Sequence, residues 1–196
     1  MSSMTNWSEM EKALRTEDYL ILDTETTGIR PPFEIVQIAI LNSTTGAVVM
    51  NELCKPRKEI PQIATAVHGI SNARVENAQT WGKLRMFVLD AIRNRVVVSY
   101  NAKFDRQAMH ESDRAVGLAE FNYHEQTRWY CAMEWYADFW GDMDKPHGSN
   151  RWQRLTSAIA QQGLTVPNNA HDALADCRMT LALIRAVLAK RDADNA

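Results

Sequence analysis

The chain has 196 residues, of which 45% are hydrophobic and 8% aromatic, with only 8 Gly and 6 Pro. By surface scaling a chain of this size buries about 70% of its unfolded surface, so a single domain with an unaided core is expected and neither a disulfide framework nor a structural zinc is required. Cys54, Cys131 and Cys177 are odd in number, widely spaced and in no CxxC pair, which fits free thiols in a reducing, cytoplasmic setting and excludes a secreted disulfide scaffold.

The apolar stretch from Leu181 to Ala189 is interrupted by Arg185, and the first residues are polar, so neither a membrane span nor a signal peptide is expected. Lys+Arg number 22 against 24 Asp+Glu, spread evenly, for a net charge of −2. That balance argues against a partner rich in phosphate. It reverses if clustered carboxylates hold two divalent cations, because the ions then set the sign of the local field.

In chain order, residues 1–17 carry a short helical pattern (Trp7, Met10, Leu14) and read as an N-terminal extension. Tyr19 to Asp23 is an apolar run of strand length. Glu34 to Leu41 is a second, and Ala47 to Leu53, after the turn-forming Asn42 to Gly46, is a third that pairs back antiparallel. A helical pattern follows around Ile63–Val67, then a longer one over 80–92 with Thr80 as expected N-cap. Arg95 to Tyr100 is β-branched and short, the mark of a buried parallel strand. Helices are expected over about 103–116, 128–140, 151–162 and 172–189, with a loose segment at 141–150. Strands first, then a helical crossover to another strand and a helical second half, predict an α/β domain: a mixed sheet of three antiparallel strands plus parallel strands, flanked by helices.

Three short segments carry chemistry. Asp23-Thr24-Glu25-Thr26-Thr27-Gly28 closes the first strand, and residues i and i+2 of a strand share a face about 6.6 Å apart, close enough for two carboxylates to grip hard cations. Asn101-Ala102-Lys103-Phe104-Asp105 lies where the valine-rich strand gives way to a helix, a junction at which ligands collect in open α/β sheets. His171-Asp172-Ala173-Leu174-Ala175-Asp176 opens the last helix, with the imidazole one and a half turns ahead of Asp176. Each alone has an ordinary structural explanation: turn acids, an acid favoured by a helix dipole, a capping histidine with solvated acids.

Together and in this order, DTETTG, NAKFD and HDALAD resemble the DEDD-type 3′-to-5′ exonucleases of the ribonuclease-H-like fold, over about Tyr19 to Leu188. The resemblance implies that residues 18–190 form the exonuclease domain, followed by a polar tail at 191–196. It implies that Asp23, Glu25, Asp105 and Asp176 hold two divalent cations, Mg²⁺ or Mn²⁺, and that His171 is the general base. The family's tyrosine branch has a tyrosine four residues before the last acid; that position is Asp172 here and the histidine stands five before, so the chain resembles the histidine branch.

The implied reaction is hydrolysis from the 3′ end of DNA with release of 5′-mononucleotides, Glu25 and the backbone near Thr26 meeting the terminal 3′-OH, and Asn101 also contacting substrate. The sequence around Trp129-Tyr130-Cys131 is most similar to the exodeoxyribonuclease X type, although Ala132 replaces a threonine frequent there. In that type the loop after the first motif inserts side chains beside the terminal base pair, and the matching positions are Ile29 and Arg30. An exoribonuclease is the alternative within the class, and a non-catalytic nucleic-acid-binding or polymerase-associated module the alternative outside it. The resemblance leaves a homodimer open and points to no membrane and no protein partner.

Trp129, Met133, Tyr136 and Trp140 fall at helical spacing, so the aromatic segment from Trp129 to Trp140 is expected to pack rather than to stack on bases. His68 reads as structural. Lys145, His147, Arg151 and Arg154 are either phosphate contacts or solvated.

Overall fold

The computed structural model describes residues 7–119, 121–123, 125–144, 148–168, 170–194 and 196. The elements are α1 (Trp7–Thr16), β1 (Tyr19–Thr26), β2 (Ile35–Asn42), β3 (Val48–Lys55), α2 (Gln62–His68), α3 (Asn72–Val75), β4 (Gln79–Thr80), α4 (Trp81–Ile92), β5 (Val96–Ser99) and α5 (Ala102–Ala115). They continue with β6 (Arg128–Cys131), α6 (Ala132–Trp140), the small hairpin β7 (Met143–Asp144) and β8 (Ser149–Asn150), α7 (Leu155–Gln161) and α8 (Ala173–Asp194). One six-stranded sheet runs in the order β4-β3-β2-β1-β5-β6. The β1–β2 and β2–β3 pairs are antiparallel, whereas β5 pairs parallel with β1 and with β6.

Apolar runs without alternation mark strands covered on both faces, and β1 shows why. Tyr19 and Ile21 enter a core shared with α1, α6, α7 and α8, while Leu20 and Leu22 enter a second core on the opposite face shared with α4 and α5. The N-terminal helix is part of this packing, with Met10, Ala13 and Leu14 in the first core. The polar residues from Arg191 continue α8 as far as Asp194, and among the described residues no helix is long and apolar enough to cross a membrane.

Several expectations are corrected or refined. The helix expected over 128–140 is a strand followed by a helix, because Arg128–Cys131 pairs with Val96–Ser99 at the sheet edge and only Ala132–Trp140 is helical. The Trp129–Trp140 spacing is therefore accidental at its first position: Trp129 packs on the second core and Met133 and Tyr136 in the first. Residues 151–154 are neither helix nor strand, with α7 starting only at Leu155. Thr80 is at the N-cap of α4, but its side chain makes no capping hydrogen bond. In the segment expected to be loose, Met143–Asp144 pairs with Ser149–Asn150, while Lys145 and His147 lie outside the described residues.

Candidate active site

The alternation that builds the two cores also distributes the site. Asp23 and Glu25 continue the face of Ile21, toward α8, and ligand oxygens of Asp23, Glu25 and Asp176 all lie within 4.8 Å of one another. Thr24 continues the opposite face, toward α5, where its hydroxyl donates to Asp105 Oδ1 at 2.8 Å. Asp105, 2% exposed, thus reaches the cluster from the other side of β1 and stands beside the three-carboxylate group rather than within it. The β1–β2 register shifts between Glu25 and Thr26, a bulge that ends regular pairing where the acids must converge.

Burial raises all four acids, and on Asp23 and Glu25 the charges of the neighbouring acids add to it. Burial, then the charges of Asp105, Asp176 and Glu25, hold the Asp23 carboxyl well above its ordinary range. Glu25 is pushed up to about 9, by burial first and then by Asp176 and Asp105. Asp105 is pushed up to about 7 by burial, with the Thr24 hydrogen bond opposing. Asp176 is raised by burial, with the His171 backbone N–H opposing. Half-buried carboxylates crowded this closely ionise together only with compensating positive charge, and an all-oxygen donor set suits a hard divalent cation.

The beginning of α8 is held by side chains that sequence reasoning did not single out. Gln37, opposite Glu25 in the β1–β2 ladder, donates from Nε2 to Asp172 Oδ2 and Asn51 Oδ1, both at 3.0 Å, and accepts the Ala173 N–H at 3.2 Å. Asp172 in turn accepts the Ala175 N–H at 3.2 Å, so it is the capping residue of α8. The readable signals were a lone amide inside an apolar strand and an aspartate directly ahead of a helical run.

His171 is exposed, with a backbone φ of 69° and its N–H donating to Asp176 Oδ1 at 3.2 Å. Left-handed backbone is uncommon outside glycine, and here it accompanies a hydrogen bond that ties the histidine to one of the clustered acids. Thr26 is buried, its hydroxyl donating to Gly28 O at 2.6 Å. His68 Nδ1 accepts the Ile70 N–H at 3.0 Å, so the ring proton sits on Nε2 and is directed at Thr26 O, 3.3 Å away. Ile29, 82% exposed, and Arg30 project from the loop beyond β1. Asn101 caps α5 by position only, its side chain making no capping bond, and it lines a cleft with His171 and Asp176. Arg151 is ion-paired to Asp144 at 3.9 Å.

The exonuclease family of the RNase T type matches residues 20–184. The chain belongs to this exonuclease family. Among its family relatives, uncharacterized exonuclease CP81 of Escherichia phage 186 is 38% identical over 189 residues, covering 94% of this chain and 96% of that protein. A solved complex of exonuclease X with 5′-overhanging duplex DNA is 25% identical with a TM-score of 0.65, over 88% of this chain and 92% of that one. The nuclease domain of 3′hExo, a DEDDh family member bound to rAMP, is 16% identical with a TM-score of 0.67 over 89% and 92%, a likeness of fold. This exonuclease-family chain therefore has the ribonuclease-H-like architecture, with its strand-end carboxylates clustered.

Proposed function

We propose that this protein is a divalent-metal-dependent 3′-to-5′ exonuclease that hydrolyses the terminal phosphodiester of DNA and releases 5′-mononucleotides. The observation that carries this reading is the convergence of Asp23, Glu25 and Asp176, with Asp105 beside them and His171 tied to Asp176. The similarity to exonuclease X supports DNA as substrate.

Asp23, Glu25, Asp105 and Asp176 would hold two Mg²⁺ or Mn²⁺ ions. Such a pair of ions, when bound, supplies positive charge to the phosphoryl oxygens and to the oxygens that attack and leave. His171 takes a proton from the attacking water; its exposure lets it pass that proton on to solvent. Its backbone bond to Asp176 keeps the base in register with the carboxylates. Glu25 and the Thr26 backbone meet the terminal 3′-OH, which confines cleavage to an end, while Asn101 contacts the substrate from the head of α5. Ile29 and Arg30 offer an apolar wedge with a cationic neighbour for fraying a terminal base pair.

The test is digestion of 5′-labelled, 3′-tailed DNA and matched RNA with Mg²⁺, with Mn²⁺ and with chelator. A descending ladder on DNA, abolished by chelator, is expected. A ladder on RNA alone moves the protein to the exoribonucleases, and no ladder on either from folded protein overturns the reading.

A further inference from the structure

Beside the carboxylates, an open cleft of about 450 Å³ is lined by His171 and Asp176 together with Tyr100, Met133, Trp152 and Arg154. Trp152 is 65% exposed, a large cost in apolar surface for the residue that usually contributes most to a core.

Its segment is nonetheless well anchored. The Tyr100 hydroxyl donates to the Gln153 carbonyl at 2.7 Å, and Gln161 Nε2 donates to Gln153 Oε1 at 3.0 Å. Trp152 and Arg154 both line the cleft, as does Gln153 between them, whose side chain is held by α7. Arg154 is exposed and has no acidic partner among the described residues.

We infer that Trp152 and Arg154 form a nucleotide subsite adjoining the reaction centre, Trp152 stacking on a base of the substrate strand and Arg154 meeting a neighbouring phosphate. This inference rests on the nuclease reading of the carboxylate cluster. A strand whose scissile phosphate lies at Asp176 has its adjoining nucleotide next to this cleft, and each nucleotide carries a flat aromatic ring and one negative charge. A tryptophan and, two residues on, an arginine with no acidic partner among the described residues complement that repeat. Every base has a stackable face, so the subsite grips without selecting sequence.

The test compares KM and kcat of Trp152→Ala, Trp152→Phe and Trp152→Leu on a 5′-labelled single-stranded oligonucleotide with Mg²⁺. KM is expected to rise about tenfold in the alanine variant, to be largely restored by phenylalanine and not by leucine. Arg154→Gln should lower the dependence of log KM on log salt by about one unit of slope. A wild-type KM in Trp152→Ala, or rescue by leucine equal to that by phenylalanine, overturns the subsite.

A second measurement does not need turnover. An oligonucleotide carrying 5-iodouracil is bound with Ca²⁺ and irradiated; attachment to Trp152 is expected, and attachment confined to other peptides overturns the proposal. Absence of mononucleotide release by the unaltered protein would remove the nuclease reading instead, and the cross-link would still decide whether a base sits on Trp152.

Discussion

On the proposed reading Asp23 is the residue on which the chemistry turns, since it feels the charges of Glu25, Asp105 and Asp176. Asp23→Ala should lower Mg²⁺-dependent hydrolysis by about 10³-fold or more while leaving the fold intact, because it removes a cation ligand and relieves repulsion. Residual activity near wild type, with an unchanged circular dichroism spectrum, would refute its role as ligand. His171→Ala should slow turnover by about 10²–10⁴-fold, the usual worth of a general base, with Mn²⁺ affinity retained. Wild-type rates across neutral and alkaline pH would remove it from that role. These residues were singled out because their three segments, taken together and in order, resemble the DEDD-type motifs, whereas each segment alone had an ordinary structural explanation. Thr24 was not: its hydroxyl matters only because Asp105, 81 positions away, arrives on the same side of β1.

At the scale of elements, the site depends on how α8 is docked on the sheet. Gln37 satisfies one buried backbone donor of that helix and bonds its capping aspartate, with Asn51 of β3 holding the amide in place. Gln37→Ala should cost about 1–3 kcal/mol of stability by leaving the Ala173 N–H without its buried partner, and should weaken Mn²⁺ binding by loosening the segment that carries His171 and Asp176. Thermal unfolding and calorimetric titration measure the two effects; an unchanged melting temperature with unchanged affinity would show that the clamp is dispensable. The same scale shows where reading by periodicity fails. Arg128–Cys131 has no strand signal strong enough to outweigh the helical spacing that follows, and it is a strand because β5 offers it an open edge.

Across the whole molecule, the carboxylate cluster couples stability to pH and to cations. Glu25 moves from an ordinary 4.5 to about 9, and Asp105 from 3.8 to about 7. A raised acid binds its proton more tightly in the folded chain, so its contribution is complete below the ordinary value and is lost as pH climbs through the raised one. The metal-free protein should therefore lose stability steadily from about pH 5 to about pH 9. Divalent cations bind the ionised form, so the gap between melting temperatures with Mg²⁺ and with chelator should widen over the same range. Parallel curves would sink this coupling.

Local pattern was enough for the α/β class, the antiparallel hairpin of β2 and β3 and the buried parallel strand β5, since two-residue and 3.6-residue periods are written along the chain. Contacts between distant residues decided the rest: Thr24 on Asp105, Gln37 across the start of α8, β6 at the sheet edge, and Trp152 in one cleft with His171 and Asp176. Those arrangements follow from which faces of β1 and β5 are covered by which helices, and packing of that kind has no periodic trace in the order of the residues.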